Sequence, residues 1–355
     1  MSTERTAYAM ITGLGTAVRG LTGPGDLLGP LPAGHRGASD PVSRLKGRGL
    51  RYKDRATKLG MAAASDALRA AGLTDDSGDL TVPGESVGVV ASTNYGNADT
   101  VCETVQTIAE SSYLATSPMM LPATSSNVVA SWVAITHGLR GANLTLCNGP
   151  TSGLDAVNWA RLLIAAGRVE RVLVLGVEPD NPAVRHVTGT PERHSAGNAD
   201  AVPDLFDGAV ALVVESAASA RARCVPPLAA VGPYARRGGH ADAVAEVRSR
   251  HAGRIGLWCA PEHPDGVTAP ASGLGAGAGT VPVHDLSARY GPASGALGVL
   301  QCAAAAVWLD SHGPDPADLV LVSAGTGDAG WDDASAALLL SAPGAVPAES
   351  VGSAR

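Results

Sequence analysis

The stretch CNGPTSGLDA, residues 147–156, sets a cysteine between an apolar run and a helical segment. A thiol at the start of a helix is favoured as the thiolate, and a thiolate there can take an acyl group. Cys147 is therefore the first candidate nucleophile. It would need a neighbour that lowers its pKa, and the spacing brings none of His137, His251 or His263 beside it. The competing reading is a buried cysteine near the end of a central strand, behaving as a small hydrophobe. The five cysteines (102, 147, 224, 259 and 302) are an odd number without CxxC spacing. That pattern points to reduced thiols, not to a disulfide framework or a metal site.

The elements around Cys147 must come from an aromatic-poor chain. Aromatics make up 3% of 355 residues, with a single phenylalanine, Phe206, so the core is built from Ala, Val and Leu. A net charge of −7 argues against a nucleic-acid footprint. No apolar run approaches the roughly 20 residues of a membrane span. The opening MSTERTAYAM lacks the basic and apolar regions of a signal peptide, so a cytoplasmic protein is expected.

Short β-rich runs alternate with Ala-rich helical runs. Strands are expected at 8–12, 87–92, 144–147, 171–176, 209–215, 228–231, 255–259, 281–283, 319–323 and 336–341. Helices are expected at 54–71, 100–110, 125–137, 153–166, 242–250 and 296–310. This alternation implies an α/β fold with helices on both faces of its sheets. The helices at 153–166 and 296–310 are apolar around most of their circumference, so they belong in the middle, packed on both sides.

Those two helices also resemble each other. One follows Gly149-Pro-Thr-Ser-Gly153 and the other Gly291-Pro-Ala-Ser-Gly295. Each leads to a polar turn and then a β-run, RVLVLGV or LVLVSAG. The chain thus reads as two related α/β halves, 1–217 and 218–355, meeting near 216–226. The segment 264–280 is a surface loop by composition.

Several stretches, in order, resemble the thiolase-fold ketosynthases, the condensing enzymes of fatty-acid and polyketide synthesis. They are AMITGLGT near the N-terminus, RYKDRATKLGMAAASDALRAAGL at 51–73, and NVVASWVAITHGLRGANLTL at 127–146. TSGLDAVNWARLLIAAG at 151–167, FDGAVALVVES at 206–216 and SGALGVLQCAAAAVWL at 294–309 follow in register. The resemblance implies a five-layered αβαβα fold with the two apolar helices at its centre. It also implies a chemistry that needs one cysteine and two histidines, and this chain lacks all three. The cysteine position falls on Pro150, the histidine positions fall on Pro261 and Pro292, and the accompanying lysine is Ser287. The family's gating loop corresponds to 324–328, without its phenylalanine. A proline at the first turn of a helix keeps the fold while removing the reactive group.

A ketosynthase-like chain emptied in this way is similar to the chain length factors, the inactive β-subunits of type II polyketide ketosynthases. The resemblance implies a heterodimer with an active ketosynthase and an encounter with acyl carrier protein bearing the growing chain. It implies no metal and no cofactor of the chain's own, because phosphopantetheine arrives on the carrier protein. The helix 100–110 takes the family's tunnel-lining place, and Val101, Thr104, Val105 and Ile108 share one face of it. They line the tunnel or belong to the core. The interface helix and the strand after it supply Asn127, Val133, His137 and Leu144 as contact candidates. In HGLRG, His137 ends the helix where its dipole favours a cation, and Asp155 lies in the favoured first turn of the next. Two rival functions remain: an acyltransferase or decarboxylase using Cys147 or water, and a homodimeric scaffold that binds carrier protein.

Overall fold

The computed structural model describes residues 9–30, 37–191, 205–251, 253–262, 267, 270, 280–311, 318–325 and 334–344. Its strands are β1 Ala9–Val18, β2 Val87–Ser92, β3 Asn143–Leu146, β4 Arg171–Glu178 and β5 Gly208–Ser216, then β6 Ala229–Arg237, β7 Arg254–Cys259, β8 Val283–His284, β9 Asp318–Ala324 and β10 Ser335–Ser341. The helices are α1 Arg55–Ala70, α2 Ala98–Glu110, α3 Val128–His137, α4 Ser152–Ala165, α5 Pro182–Thr188, α6 Ala217–Ala222, α7 His240–Arg250, α8 Leu286–Tyr290 and α9 Leu297–Ser311. Each expected strand and long helix has a counterpart here. The short helices α5, α6 and α8 are additions; at 5–7 residues they are too brief to impose a helical period. Most of the expected loop 264–280 lies outside the described residues, as do 326–328 of the gating segment.

Hydrogen bonds join the strands in the order β3-β2-β4-β5-β1-β6-β10-β9-β7-β8. Read outward from the β1–β6 junction, the order within each set is first, fifth, fourth, second, third. The polarities repeat as well, with two antiparallel pairings followed by two parallel ones. The two sets are joined by three residue pairs, Ala9–Ile11 against Ala229–Val231.

Side-chain alternation turns this sheet into layers. Along β4, Leu173 packs outward with Leu59 and Val129 beneath α1 and α3, whereas Val174 packs inward with α4 and α9. In the second set, Val320 and Leu338 join the same central cluster, while Leu321 and Leu339 pack with Val244 and Val247 of α7. The layers therefore run α1/α3, first strands, α4/α9, second strands, α7. The mixed α/β architecture is the expected five-layered one. Strands covered on both faces read as continuous apolar runs, as RVLVLGV does.

The two central helices meet backbone to backbone. A Cβ on Gly153 would come within 2.7 Å of the Gly298 nitrogen, so glycine is required at this crossing. α9 is buried along nearly its whole length. α4 is not: Trp159 and Leu162 are 44% and 42% exposed, which corrects the expectation that it is covered on both sides. Cys147 also departs from expectation. It follows β3, which is the edge strand of the sheet and not a central one, and the cysteine is exposed.

Candidate functional site

Two helix starts converge at the ends of β2 and β4. Pro150 lies in the single 3-10 turn Gly149–Thr151 that leads into α4, at a first-turn position where no N–H is needed. Pro292 does not have that role. It precedes the cap residue Ala293 of the turn Ser294–Ala296, outside the helix, and its carbonyl accepts from the Phe206 N–H at 3.1 Å. What holds Pro292 is thus its own carbonyl and its fixed φ. Pro261 is buried just beyond β7. On one side of it the Ala260 carbonyl accepts from Gln301 Nε2 of α9 at 2.7 Å. On the other, Glu262 Oε2 accepts from the Ser294 N–H at 2.9 Å. The three prolines therefore surround the starts of α4 and α9.

The space between them is knitted together by polar groups that sequence reasoning passed over. Asn94 Nδ2 donates to the Gly149 carbonyl at 3.1 Å and to Ser294 Oγ at 2.8 Å. Its Oδ1 accepts from the Gly149 N–H and from Ser152 Oγ, each at 3.2 Å. Glu178, at the end of β4, is 3% exposed and accepts from Asn94 N at 2.6 Å, Tyr95 N at 3.1 Å, Gly295 N at 3.2 Å and Thr93 Oγ1 at 3.3 Å. Burial pushes its carboxyl up to about 8, against the opposing pull of those donors. Ser294 sits at φ 43, a left-handed conformation uncommon outside glycine, and its N–H and Oγ are both engaged. The signal available in the sequence was a lone carboxylate closing an apolar strand and a polar STNYGN turn after another.

Asp155 lies in the first turn of α4, as expected, and is buried. It accepts from Thr151 Oγ1 at 2.9 Å and also from Asn148 Nδ2 and the Tyr234 hydroxyl. Its carboxylate is thus saturated by structural partners. Desolvation by the surrounding protein and the Glu178 charge both push the Cys147 thiol up. A thiol shifted upward is protonated at neutral pH and is a weak nucleophile.

The remaining candidates sort by exposure. On α2, Val101 and Thr104 are half-buried, while Val105 and Ile108 are 60% and 45% exposed. Asn127 is exposed, Leu144 is half-buried, and His137 is half-buried with Ser65 Oγ 3.4 Å from its Nε2. Burial lowers the His137 pKa, so the ring is not the cation expected at the end of α3. Val133 is fully buried in this chain's own core, because its position on α3 faces α1 and β2. It is not a surface contact. Trp159 and Leu162 of α4 and Ile135 of α3 are exposed apolar residues that the sequence did not single out. Among the described residues no group of three His, Cys, Asp or Glu is arranged to hold a metal ion. No helix among them is long and apolar enough to cross a membrane.

Comparison with known proteins adds to this geometry. Residues 32–200 match the family model "Beta-ketoacyl synthase, N-terminal domain". The solved "ishigamide ketosynthase/chain length factor" superposes with a TM-score of 0.70 at 25% identity, over 94% of this chain and 99% of the other. The chain has the fold of the thiolase-fold ketosynthases. Among curated relatives of this ketosynthase-like chain, the "Granaticin polyketide putative beta-ketoacyl synthase 1" of Streptomyces violaceoruber is 29% identical, over 65% of this chain and 64% of that protein. The "3-oxoacyl-[acyl-carrier-protein] synthase 2" of Vibrio harveyi is 30% identical, over 39% of this chain and 32% of that protein. The matched stretch thus spans about a third of the Vibrio relative and under two thirds of the Streptomyces one. A second structure, a type II polyketide acyl-carrier protein in complex with its ketosynthase bound to the hexaketide, shares the fold, with a TM-score of 0.71 at 15% identity. The fold is that of the ketosynthase and chain length factor subunits of type II polyketide synthases.

Proposed function

We propose that this chain is a non-catalytic chain length factor of type II polyketide biosynthesis. It pairs with an active ketosynthase and forms part of the wall of the tunnel into which the acyl chain grows. The observation that carries this reading is the ring of Pro150, Pro261 and Pro292 around the starts of the two central helices, where the family's chemistry needs a thiol and two imidazoles. A proline has no group that can hold a thioester or donate a hydrogen bond to an oxyanion. The active partner would supply those groups, and phosphopantetheine would arrive on its carrier protein. We further divide the chain at 217/218 into two related halves, a division supported by the repeated strand order.

The surface supports an apolar partner. β3 is an edge strand, and an unpaired edge beside exposed apolar groups invites pairing with another chain. Ile135 is 67% exposed and Trp159 44%. An obligate interface of this kind buries on the order of 2,000 Å² or more. Asn127, His137 and Leu144 would belong to it, and Val105 and Ile108 would face the tunnel. The rival acyltransferase reading draws on the exposure of Cys147, but that thiol is shifted away from the thiolate form.

Co-expression with a neighbouring ketosynthase tests the proposal. The expected outcome is a monodisperse heterodimer that condenses malonyl units, with the purified chain inert. A stable homodimer that ignores the ketosynthase would support a scaffold instead.

A further inference from the structure

We infer that the emptied catalytic centre anchors the root of α2, and that Asn94 is the residue that positions this helix. The functional part of the inference, control of product length, rests on the chain-length reading above. The structural part does not.

The segment 93–97 links β2 to α2. Three of its donors, Thr93 Oγ1 and the N–H groups of Asn94 and Tyr95, converge on the Glu178 carboxyl, which also accepts from Gly295 N. The segment is thereby fastened to the end of β4 and to the start of α9. Asn94 then ties it sideways, using both of its side-chain polar atoms on Gly149, Ser152 and Ser294. The fit is close: a Cβ on Gly295 would lie 2.8 Å from Glu178 Oε1 and 3.0 Å from Asn94 N. From this root the helix begins at once, with Ala98 N donating to the Tyr95 carbonyl at 2.9 Å and Val101 N to the Asn97 carbonyl at 3.1 Å. Asn97 Nδ2 adds a bond to the Ala123 carbonyl at 3.2 Å.

Beyond its root α2 leans on α5 and on the turns 113–115 and 121–124, yet Thr100 is its one buried residue. A helix of 13 residues reaches about 20 Å, so a small rotation at Asn94 becomes a larger displacement at Ile108. Where core packing does not fix a helix, the bonds at its base do. The site where acyl transfer would occur is thus occupied by a network whose output is the placement of a neighbouring helix.

Hydrogen–deuterium exchange of the full chain in its ketosynthase complex tests this, with Asn94→Ala and Ser294→Ala variants and Ser65→Ala as a control. Asn94→Ala should speed exchange in peptides of α2 about tenfold while leaving α1 and β4 unchanged, since partly buried hydrogen bonds are lost at one end of a locally stable unit. Ser294→Ala removes a single partner and should act in the same direction by less, so it provides the readout if Asn94→Ala fails to assemble. Product profiles of both variants should broaden in length. Unchanged α2 exchange in both variants, or an equal rise across the whole chain, would overturn the positioning role. Faster α2 exchange with an unchanged product profile would overturn the role in specificity. Ile108→Phe, measured in parallel, reports on the tunnel reading itself, so failure of that reading is distinguished from failure of this one.

Discussion

Asn94 and Ser294, 200 positions apart in the chain, share a 2.8 Å hydrogen bond between the starts of the two central helices. In a thiolase fold this crossing is where both halves bring their chemistry together. Here a proline flanks each helix start, and the polar groups between them are already partnered with one another. In the proposed account the ketosynthase fold is kept and proline stands where the reactive groups would be.

Turnover should therefore be absent from the isolated chain. Incubation with malonyl- and acyl-carrier protein should give no condensed product, and intact-mass analysis should show no acylation of Cys147. In the heterodimer, Cys147→Ala should retain product formation to within about twofold, because its thiol is shifted away from the thiolate form. Loss of product in an assembled Cys147→Ala complex would make this thiol the nucleophile after all.

Interface variants should separate into two kinds of failure. Leu144→Arg and Ile135→Arg place a charge on the edge strand and on the exposed face of α3, and should abolish the complex in size-exclusion chromatography while each chain keeps its circular dichroism. Val133→Arg should instead unfold the chain, since an unpaired charge in this core costs about 3–5 kcal/mol. A Leu144→Arg complex that still elutes intact would remove β3 from the interface.

The buried Glu178 gives a pH dependence with a definite sign. Its carboxyl titrates near 4.5 when free and is pushed up to about 8 in the fold by burial. Between those values the folded chain holds a proton that the unfolded chain has released, so stability falls as pH rises, by up to about 1.4 kcal/mol per unit. Below that window the group is neutral in both states, and above it the full penalty is present. Urea unfolding from pH 5 to 9 should show wild type losing stability relative to Glu178→Gln across this range. Parallel curves would mean that the four donors hold the carboxylate ionised throughout.

The layered fold was legible because its buried strands and central helices carry long apolar runs, as in RVLVLGV and in α9. The starts of the two central helices were legible too, since Gly-Pro-Thr-Ser-Gly and Gly-Pro-Ala-Ser-Gly mark both. The exposure of individual side chains was not. Val133 and Ile135 lie two positions apart on one helix, yet one is fully buried and the other 67% exposed. An apolar type alone cannot distinguish a core contact from a partner contact. The Asn94–Glu178 network was hidden for a related reason. Its members come from β2, β4 and both helix starts, and no spacing in the chain records that they meet.

The length of the product is the most direct measure of the central claim. The heterodimer would be supplied with carrier-bound substrates, and its products would be read by mass spectrometry for wild type, Val105→Trp, Ile108→Phe and the control Glu103→Trp. A bulky side chain at exposed Val105 or Ile108 would take up the space a growing chain needs, and a chain that stops early avoids the clash. The account predicts shorter products from Val105→Trp and Ile108→Phe, early condensations at an unchanged rate, and a wild-type profile from Glu103→Trp. Identical length distributions for every variant, in complexes that assemble normally, would contradict it.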